Sequence, residues 1–269
     1  MPLIKAYAKV NLALDVLYRR DDGYHELCSL MHSIDLCDDV VISEDEYISF
    51  ESNIPLPRDN TAVKAAEAYS RIGGSKGAHI KIIKRIPSEA GLGGGSADAA
   101  AVIIGMQKIY HALDIEMLGK LASTIGADVP FCLSGGAALA AGIGERLFPI
   151  PRLSLPLLIV KPRAGINTGK LFSNLKLPCA HHDVSGAVHA YLSKDLEGLG
   201  KRMGNSLEAE AFFVEPQLAE IKNRMLECGA LGACMTGSGS AIVGLFEDGG
   251  HAQWGASRFE EYDSVHVCG

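Results

Sequence analysis

The segment Pro87–Ile104, "PSEAGLGGGSADAAAVII", follows an alternating apolar stretch and leads into an alanine-rich run. Four of the five positions from Gly91 to Gly95 are glycine, so this backbone can adopt left-handed φ angles and carries little side-chain bulk. A helix that starts directly after such a loop presents unpaired main-chain N–H groups and a partial positive charge. The segment therefore predicts a strand, an anion-binding loop and a helix that begins near Ser96. A tight turn without a ligand is the alternative.

Three known patterns of phosphate-binding proteins can be compared with this segment. A P-loop needs a lysine before the serine or threonine that starts the helix, and here Gly95 precedes Ser96. The dinucleotide pattern G-x-G-x-x-G fits Gly91 and Gly93, but its third glycine would fall at Ser96. The absence of "HRD" and "DFG" excludes a protein kinase. A phosphate-binding loop of another class remains.

Composition limits the class of protein. The chain has 269 residues, of which 48% are hydrophobic and 21% charged, as expected for a globular protein with a sizeable core. The net charge of -7 argues against non-specific nucleic-acid binding. The seven cysteines form no C-x-x-C pair, which favours reduced thiols in the cytoplasm over zinc or disulfides. No signal-type run and no membrane-length apolar stretch is present, so we expect no membrane association.

Helices and strands mix along the chain without a strict βαβ rhythm, which favours an α+β fold over a doubly wound parallel sheet. Residues Ile4–Val16 alternate as a strand, and a solvated face is one interpretation of its polar positions. Asn60 is a candidate N-cap for a helix that ends near Gly73. The segment "AHIKIIKRI" predicts a strand that feeds the glycine loop, and we interpret Lys81 and Lys84 as its solvated face. Prolines 149, 151 and 156 predict a domain boundary, with domains at 1–150 and 151–269.

Three motifs stand in a familiar order. "KAYAKVNLALDVL", "PSEAGLGGGSADAA" and "MTGSGSAIVGLF" resemble the three motifs of the superfamily named for galactokinase, homoserine kinase, mevalonate kinase and phosphomevalonate kinase (GHMP). "RRDDGYHEL" and "GADVPFCLSGGAALAAGIGE" resemble its branch that acts on a cytidylated methylerythritol. The resemblance extends from Lys5 to about Phe246. It implies a two-domain fold, with an N-terminal domain like ribosomal protein S5 domain 2, a ferredoxin-like C-terminal domain and the active site in the cleft.

Two positions depart from the family pattern. Ala97 stands where a second serine is common, and Glu89 stands where a small or apolar residue is commoner. Because a phosphate cradle works through main-chain N–H groups, Ala97 should not abolish it.

The resemblance also implies residue roles, and each has a structural alternative. Lys9 and Asp128 match the catalytic lysine and aspartate, although Asp128 could simply cap the helix that follows it. The implied ATP site comprises Asn60 near the adenine, Ala90, Gly91, Leu92, Gly93, Gly94, Gly95 and Ser96 in the loop, and Gly237, Ser238 and Gly239 in the third motif. A hairpin turn is the alternative for the third motif. Ser96 is also a candidate Mg²⁺ contact.

Acceptor binding is implied for Asn11, Tyr24, His25, Thr168 and Phe172. Tyr24 and Phe172 would stack on the cytosine and His25 would hydrogen-bond it. Each of these residues has a structural alternative. His25 could be a surface histidine, Tyr24 an aromatic residue at the start of a strand, Phe172 a buried helix residue and Thr168 an N-cap.

The resemblance implies phosphorylation, with ATP and Mg²⁺, of the acceptor's C2 hydroxyl in non-mevalonate isoprenoid biosynthesis. The partner would be this small molecule, with no nucleic acid and no membrane, and the protein a monomer or homodimer. A homoserine or mevalonate kinase is one rival, and a non-catalytic ATP-binding regulator is another.

Overall fold

The structure is a computed structural model that describes residues 1–262 and 264–269. The strands are β1 (Leu3–Arg19), β2 (His25–Asp45), β3 (Ser49–Ser52), β4 (Gly77–Ile83), β5 (Ala137–Gly142), β6 (Arg146–Ile150), β7 (Leu157–Lys161), β8 (Gly204–Asn205), β9 (Gly232–Met235), β10 (Ile242–Leu245) and β11 (Ser264–Cys268). The helices are α1 (Thr61–Gly73), α2 (Gly94–Tyr110), α3 (Ile115–Ile125), α4 (Val129–Ser134), α5 (Thr168–Asn174), α6 (Val184–Leu192), α7 (Leu196–Gly200), α8 (Glu208–Val214), α9 (Gln217–Glu227) and α10 (Gly249–Ala256).

The chain forms two compact units, each built from separate stretches. The first unit comprises residues 1–8, 36–86 and 93–135, and the second comprises 9–35, 87–92 and 136–269. The strands β1 and β2 therefore contribute residues to both units. The domain boundary at residue 150 stays a prediction.

In the first unit, helices pack on a small sheet. The second half of β2 pairs antiparallel with β4, and β3 pairs parallel with β4. The helices α1 and α2 bury alanine-rich faces against each other, since small side chains allow close approach. A Cβ at Gly105 of α2 would lie 2.3 Å from Cδ1 of Ile42, so glycine lets α2 approach β2. Asn60 caps α1 as predicted, and Gly74 ends it in a left-handed conformation.

The second unit contains antiparallel sheet structure and most of the apolar core. The first half of β2 pairs with β5, β5 pairs with β6, and β1 pairs parallel with β8. A separate four-stranded sheet has the order β11-β7-β10-β9, with every neighbouring pair antiparallel. Helices α9 and α10 cover this sheet, where Leu158, Val160, Ile242 and Phe246 are buried. The α+β prediction is confirmed. No helix among residues 1–262 and 264–269 is long and apolar enough to cross a membrane.

Candidate active site

Each main-chain carbonyl in the first half of the glycine loop, residues 89–92, accepts a hydrogen bond. In the second unit, the carbonyl oxygens of Glu89 and Ala90 accept hydrogen bonds from the N–H groups of Ser240 and Ala241, both at 3.1 Å. The next two carbonyls, those of Gly91 and Leu92, accept from Oγ1 of Thr236 at 3.5 Å and from the Lys9 N–H at 3.0 Å. These four bonds do not use the N–H groups of the loop. The loop and the third motif therefore form one main-chain assembly.

Two glycines let these backbones meet. Gly91 has a φ of 72°, and a Cβ there would lie 2.0 Å from the Thr236 carbonyl oxygen. Gly237 has a φ of 54°, and its Cβ would lie 3.1 Å from the Lys9 Nζ. Any larger residue at these positions would force the loop and the third motif apart. The Lys9 ammonium thus lies beside the turn that carries Gly237, Ser238 and Gly239. This turn joins the antiparallel strands β9 and β10, as the hairpin interpretation predicts.

Lys9 and Asn11 lie in a buried polar network on β1. Lys9 is 3% exposed, and its Nζ donates to Oδ1 of Asn11 at 2.7 Å. The Asn11 amide nitrogen donates to Oγ of Ser29 at 2.7 Å, and the Asn11 main-chain N–H donates to Oγ1 of Thr236 at 2.9 Å. Asp15, further along the same face, is 6% exposed and accepts from Oγ of Ser206. The interpretation of these positions as a solvated strand face is therefore wrong.

The second half of the loop belongs to the first unit. Gly93, with a φ of 69°, is the N-cap residue of α2, so the helix begins at Gly94, two residues before the predicted start. No side chain caps this end, which leaves the first N–H groups of α2 to other acceptors. Oγ1 of Thr61 donates to the Gly95 carbonyl at 2.6 Å, which joins the start of α1 to the loop. Asn60 directly precedes Thr61. Its Oδ1 accepts hydrogen bonds from N–H groups in the first turn of α1, so the prediction that Asn60 is an N-cap is confirmed.

Asp128 and Ser96 also lie in the first unit. Asp128 precedes α4 in helical conformation and makes no side-chain capping bond, which contradicts the cap interpretation. A Cβ at Gly126 would lie 4.0 Å from the Ser96 Oγ, so that hydroxyl lies beside the turn leading to Asp128. The described residues contain no group of three or more His, Cys, Asp or Glu side chains that could hold a metal ion. The Ser96 hydroxyl is one protein oxygen that could contact Mg²⁺, a cation that keeps several waters and binds phosphate oxygens.

The predicted cytosine-binding residues are partly assembled in the second unit. The rings of His25 and Phe172 lie 5.3 Å apart between centroids with an interplanar angle of 32°. Tyr24 is 60% exposed. Burial, followed by the charge of Arg19, lowers the pKa of His25, which favours the neutral imidazole. A neutral imidazole can both donate and accept a hydrogen bond, which suits a base edge.

Thr168 does not cap its helix. Asn167 caps α5 by accepting from the Lys170 N–H, whereas the Thr168 hydroxyl lies 2.6 Å from Oγ of Ser238. Thr168 therefore joins α5 to the turn of the third motif, both in the second unit.

Lys84 contradicts the solvated-face prediction. Its side chain is 6% exposed and forms ion pairs with Asp38 and Asp98, the latter at 2.7 Å. Asp38 also accepts from the N–H groups of Arg85 and Ile86, the two residues that follow Lys84 toward the loop. The neighbouring strand residue, Lys81, is half exposed and pairs with Glu51, as a solvated face predicts.

Sequence reasoning missed two residues that shape the site. Thr236, fully buried, receives the Asn11 N–H and contacts the Gly91 carbonyl, and it lies within the quoted third motif. Asn205 is 2% exposed and donates to the carbonyls of Met235 and Gly237 at 2.8 Å each. Asn205 lies on the two-residue strand β8, and no sequence pattern announces so short an element.

Comparison with known proteins assigns the family. The family models described as "GHMP kinases N terminal domain" and "GHMP kinases C terminal" match residues 60–136 and 187–262. A 4-diphosphocytidyl-2-C-methyl-D-erythritol kinase from Acetivibrio thermocellus is 42% identical over 254 residues, covering 91% of this chain and 90% of the relative. This chain belongs to the 4-diphosphocytidyl-2-C-methyl-D-erythritol kinase family. It is thus a small-molecule kinase of the GHMP superfamily, as the three motifs predict.

Other members of the 4-diphosphocytidyl-2-C-methyl-D-erythritol kinase family match over nearly the full length. The one from Syntrophomonas wolfei is 39% identical, covering 98% of this chain and 96% of the relative. A crystal structure of a 4-(cytidine 5'-diphospho)-2C-methyl-D-erythritol kinase superimposes with a TM-score of 0.87 at 37% identity, covering 99% and 98% of the two chains. A homoserine kinase from Cytophaga hutchinsonii, 22% identical with a TM-score of 0.72 over 99% and 95% of the chains, shares the fold. The predicted two-domain GHMP fold is therefore confirmed.

Proposed function

We propose that this protein transfers the γ-phosphate of ATP to the C2 hydroxyl of 4-diphosphocytidyl-2-C-methyl-D-erythritol. The product is the 2-phosphate, an intermediate of non-mevalonate isoprenoid precursor biosynthesis, and we assign the reaction to the cytoplasm. The observation that supports this most is the loop 89–92, whose four carbonyls are bonded to the protein beside the buried Lys9 ammonium. The family membership supplies the chemical identity of the acceptor.

The loop suits a triphosphate because its carbonyl oxygens are already engaged. Carbonyl dipoles that pointed at a polyanion would repel it, and here four consecutive ones are bonded to other protein groups. Together with the uncapped start of α2, this favours an anion on the N–H side of the loop. Mg²⁺, when bound, neutralises charge on the phosphate oxygens. The Ser96 hydroxyl is the residue that we assign to it.

The chemical step needs a proton acceptor and a group that stabilises the developing alkoxide. As the acceptor oxygen bonds to the γ-phosphorus, the bond from that phosphorus to the β,γ-bridging oxygen breaks and ADP leaves. We assign the hydroxyl proton to the Asp128 carboxylate and stabilisation of the oxyanion to the Lys9 ammonium. The bond from Lys9 Nζ to Asn11 limits the rotamers of a flexible side chain, so the ammonium is pre-positioned.

Specificity for a cytidylated acceptor depends on the aromatic residues. We assign stacking on the cytosine to Tyr24 and Phe172 and hydrogen bonding to the neutral His25. Base–aromatic stacking is worth about 1–3 kcal/mol per contact. Small acceptors such as homoserine and mevalonate carry no base, so these side chains distinguish the proposed acceptor from those of the superfamily relatives.

The test measures ADP release and product mass with ATP and Mg²⁺ in the presence of the cytidylated acceptor, homoserine, mevalonate or no acceptor. We expect turnover only with the cytidylated acceptor, together with competitive inhibition by cytidine. Turnover of another acceptor would replace the proposed substrate, and ATP binding without turnover of any acceptor would indicate the regulator.

Two variants test the assigned roles. Asp128→Asn should lose about 10²–10⁴ in turnover, the usual effect of removing a general base, and should retain ATP affinity. Lys9→Met should lose about 10²–10³, because one oxyanion-stabilising group is removed. The matched control is Lys120→Met, at an exposed position on α3. Near-normal turnover of Asp128→Asn would remove that residue from the chemical step.

A further inference from the structure

Glu89 is the residue of the glycine loop that departs from the family pattern, and its conformation is unusual. It has a φ of 52°, in the left-handed region that non-glycine residues seldom adopt. Its side chain is exposed, so neither core packing nor a buried charge explains it. Its main-chain carbonyl is bonded to Ser240, which fixes the backbone and leaves the side chain as the part without an assigned role.

The Glu89 side chain lies against the segment 164–168, within the second unit. A Cβ built on Gly165 would lie 2.1 Å from Oε2, 3.0 Å from Cβ and 3.1 Å from Cδ of Glu89. The carboxylate therefore covers the Gly165 backbone, with no intervening space. Burial lowers the pKa of Lys161 and the Glu89 charge opposes this shift, which is consistent with a nearby ammonium partly balancing the carboxylate.

The segment 164–168 leads directly into α5, which carries the assigned acceptor-binding residues Thr168 and Phe172. On its other side, the segment is bonded to the third motif: Oγ of Ser240 donates to the Ala164 carbonyl, and the hydroxyls of Thr168 and Ser238 lie 2.6 Å apart. Glu89 is thus a direct side-chain link from the phosphate loop to the chain that presents α5.

We propose that Glu89 is a positioning residue that sets the segment 164–168, and with it the acceptor-binding residues of α5, from the glycine loop. The kinetic effect expected below rests on the function proposed above. The contact between Glu89 and Gly165 is independent of that function. Because the loop is held by main-chain carbonyls, deleting the Glu89 side chain leaves its attachment intact. The effect should therefore appear on the acceptor side and spare the nucleotide side.

The kinetic test compares Glu89→Ala with Glu89→Gln. We expect Glu89→Ala to raise KM for the cytidylated acceptor by about twofold to a hundredfold, the range spanned by couplings between residues in contact. KM for ATP should change by less than about twofold, and Glu89→Gln, which keeps the side-chain volume, should retain most of the acceptor affinity. The control is Glu227→Ala, at an exposed position that ends α9. Equal increases in the two KM values, or an increase for ATP alone, would overturn the proposal.

Gly165→Ala probes the same contact from the other side. Gly165 does not have a left-handed φ, so the added methyl group acts by displacing the Glu89 carboxylate rather than by straining the backbone. Gly165→Ala should resemble Glu89→Ala, and the double variant should be no worse than either single variant. Additive losses would show that the two residues act separately. Gly119→Ala, where an added Cβ meets no atom within 4 Å, is the matched control.

Hydrogen exchange separates this proposal from the proposed function. In Glu89→Ala, amides of residues 164–168 should exchange faster while those of residues 236–241 keep the wild-type rate. Unchanged exchange at 164–168 would refute the positioning role even in an active enzyme. Faster exchange in a protein without kinase activity would support the contact and refute the function.

Discussion

The buried ion pairs of Lys84 with Asp38 and Asp98 should contribute substantially to the free energy of unfolding. The three side chains are 6%, 0% and 5% exposed, and one ammonium serves both carboxylates. Lys84→Met removes that charge and leaves two buried carboxylates. Asp38 keeps the N–H groups of Arg85 and Ile86, whereas Oδ1 of Asp98 has no hydrogen-bond partner among the described residues. The cost should therefore fall mainly on Asp98.

Removing one partner of a buried ion pair costs about 3–5 kcal/mol. In a chain of this size each kcal/mol lowers Tm by about 2–4 °C, so we expect a fall of about 6–20 °C. The assay is thermal and urea unfolding at pH 9, where the Asp98 carboxyl with its pKa of about 7 is ionised in wild type, followed by far-UV circular dichroism. Lys120→Met is the control, because its partner Glu116 is four residues away and both side chains are about three-quarters exposed. That pair should contribute about 0.5 kcal/mol or less.

A second substitution sharpens the test. In the Lys84→Met background, Asp98→Asn removes one of the two uncompensated carboxylates and keeps the side-chain volume. It should restore part of the lost stability. If Lys84→Met costs about as little as Lys120→Met, or if the second substitution adds to the loss, then the ion pairs of Lys84 with Asp38 and Asp98 do not stabilise the fold.

Three further predictions follow from buried groups and close contacts. Burial raises the pKa of Asp98 to about 7 against the partial opposition of Lys84, from an ordinary 3.8, so between these values the native state binds more protons than the unfolded state. Wild-type stability relative to Asp98→Asn should fall as pH rises from about 4 to about 7, as chemical denaturation at several pH values would show. Burial lowers the pKa of His32 from 6.5 to about 4, so between these values the unfolded state binds more protons than the native state. The unfolding free energy of wild type relative to His32→Gln should therefore rise by about 3 kcal/mol as pH rises from about 4 to about 6.5. A flat difference would contradict either assignment. Gly91→Ala places a methyl group 2.0 Å from the Thr236 carbonyl oxygen and should weaken ATP binding at least about tenfold by calorimetry, while unchanged affinity would exclude this loop as the phosphate site.

Much of the fold follows from local sequence signals. The caps of α1 lie at Asn60 and Gly74, in agreement with a helix predicted to start after Asn60 and to end near Gly73, because capping depends on neighbouring residues. The strand β3 and the two-residue strand β8 were not predicted. Each is defined by a partner strand distant in sequence, and neither carries an alternating pattern long enough to recognise.

The site is harder to read from the sequence because burial is a property of the fold. Lys9 lies on an alternating strand and Lys84 directly follows one, so both look solvated in the sequence, yet both side chains are buried and bonded to polar partners. Asp128 has the sequence context of a cap, but its side chain does not cap α4. The motifs predict the site residues, whereas the hydrogen bonds around Asn11 and the Gly237 carbonyl also involve Ser29, Asn205 and Thr236, of which only Thr236 lies in a quoted motif.

The attachment of residues 89–92 through carbonyl oxygens has a consequence for how this sequence can drift. Every amino acid carries a main-chain carbonyl, so the exposed position 89 can accept diverse side chains while the turn keeps its shape, and Glu89 is one result. Gly91 and Gly237 have no such freedom, since an added methyl group meets backbone or the Lys9 ammonium. A search for distant homologues would therefore gain more from these two separated glycines than from the conspicuous run at 93–95.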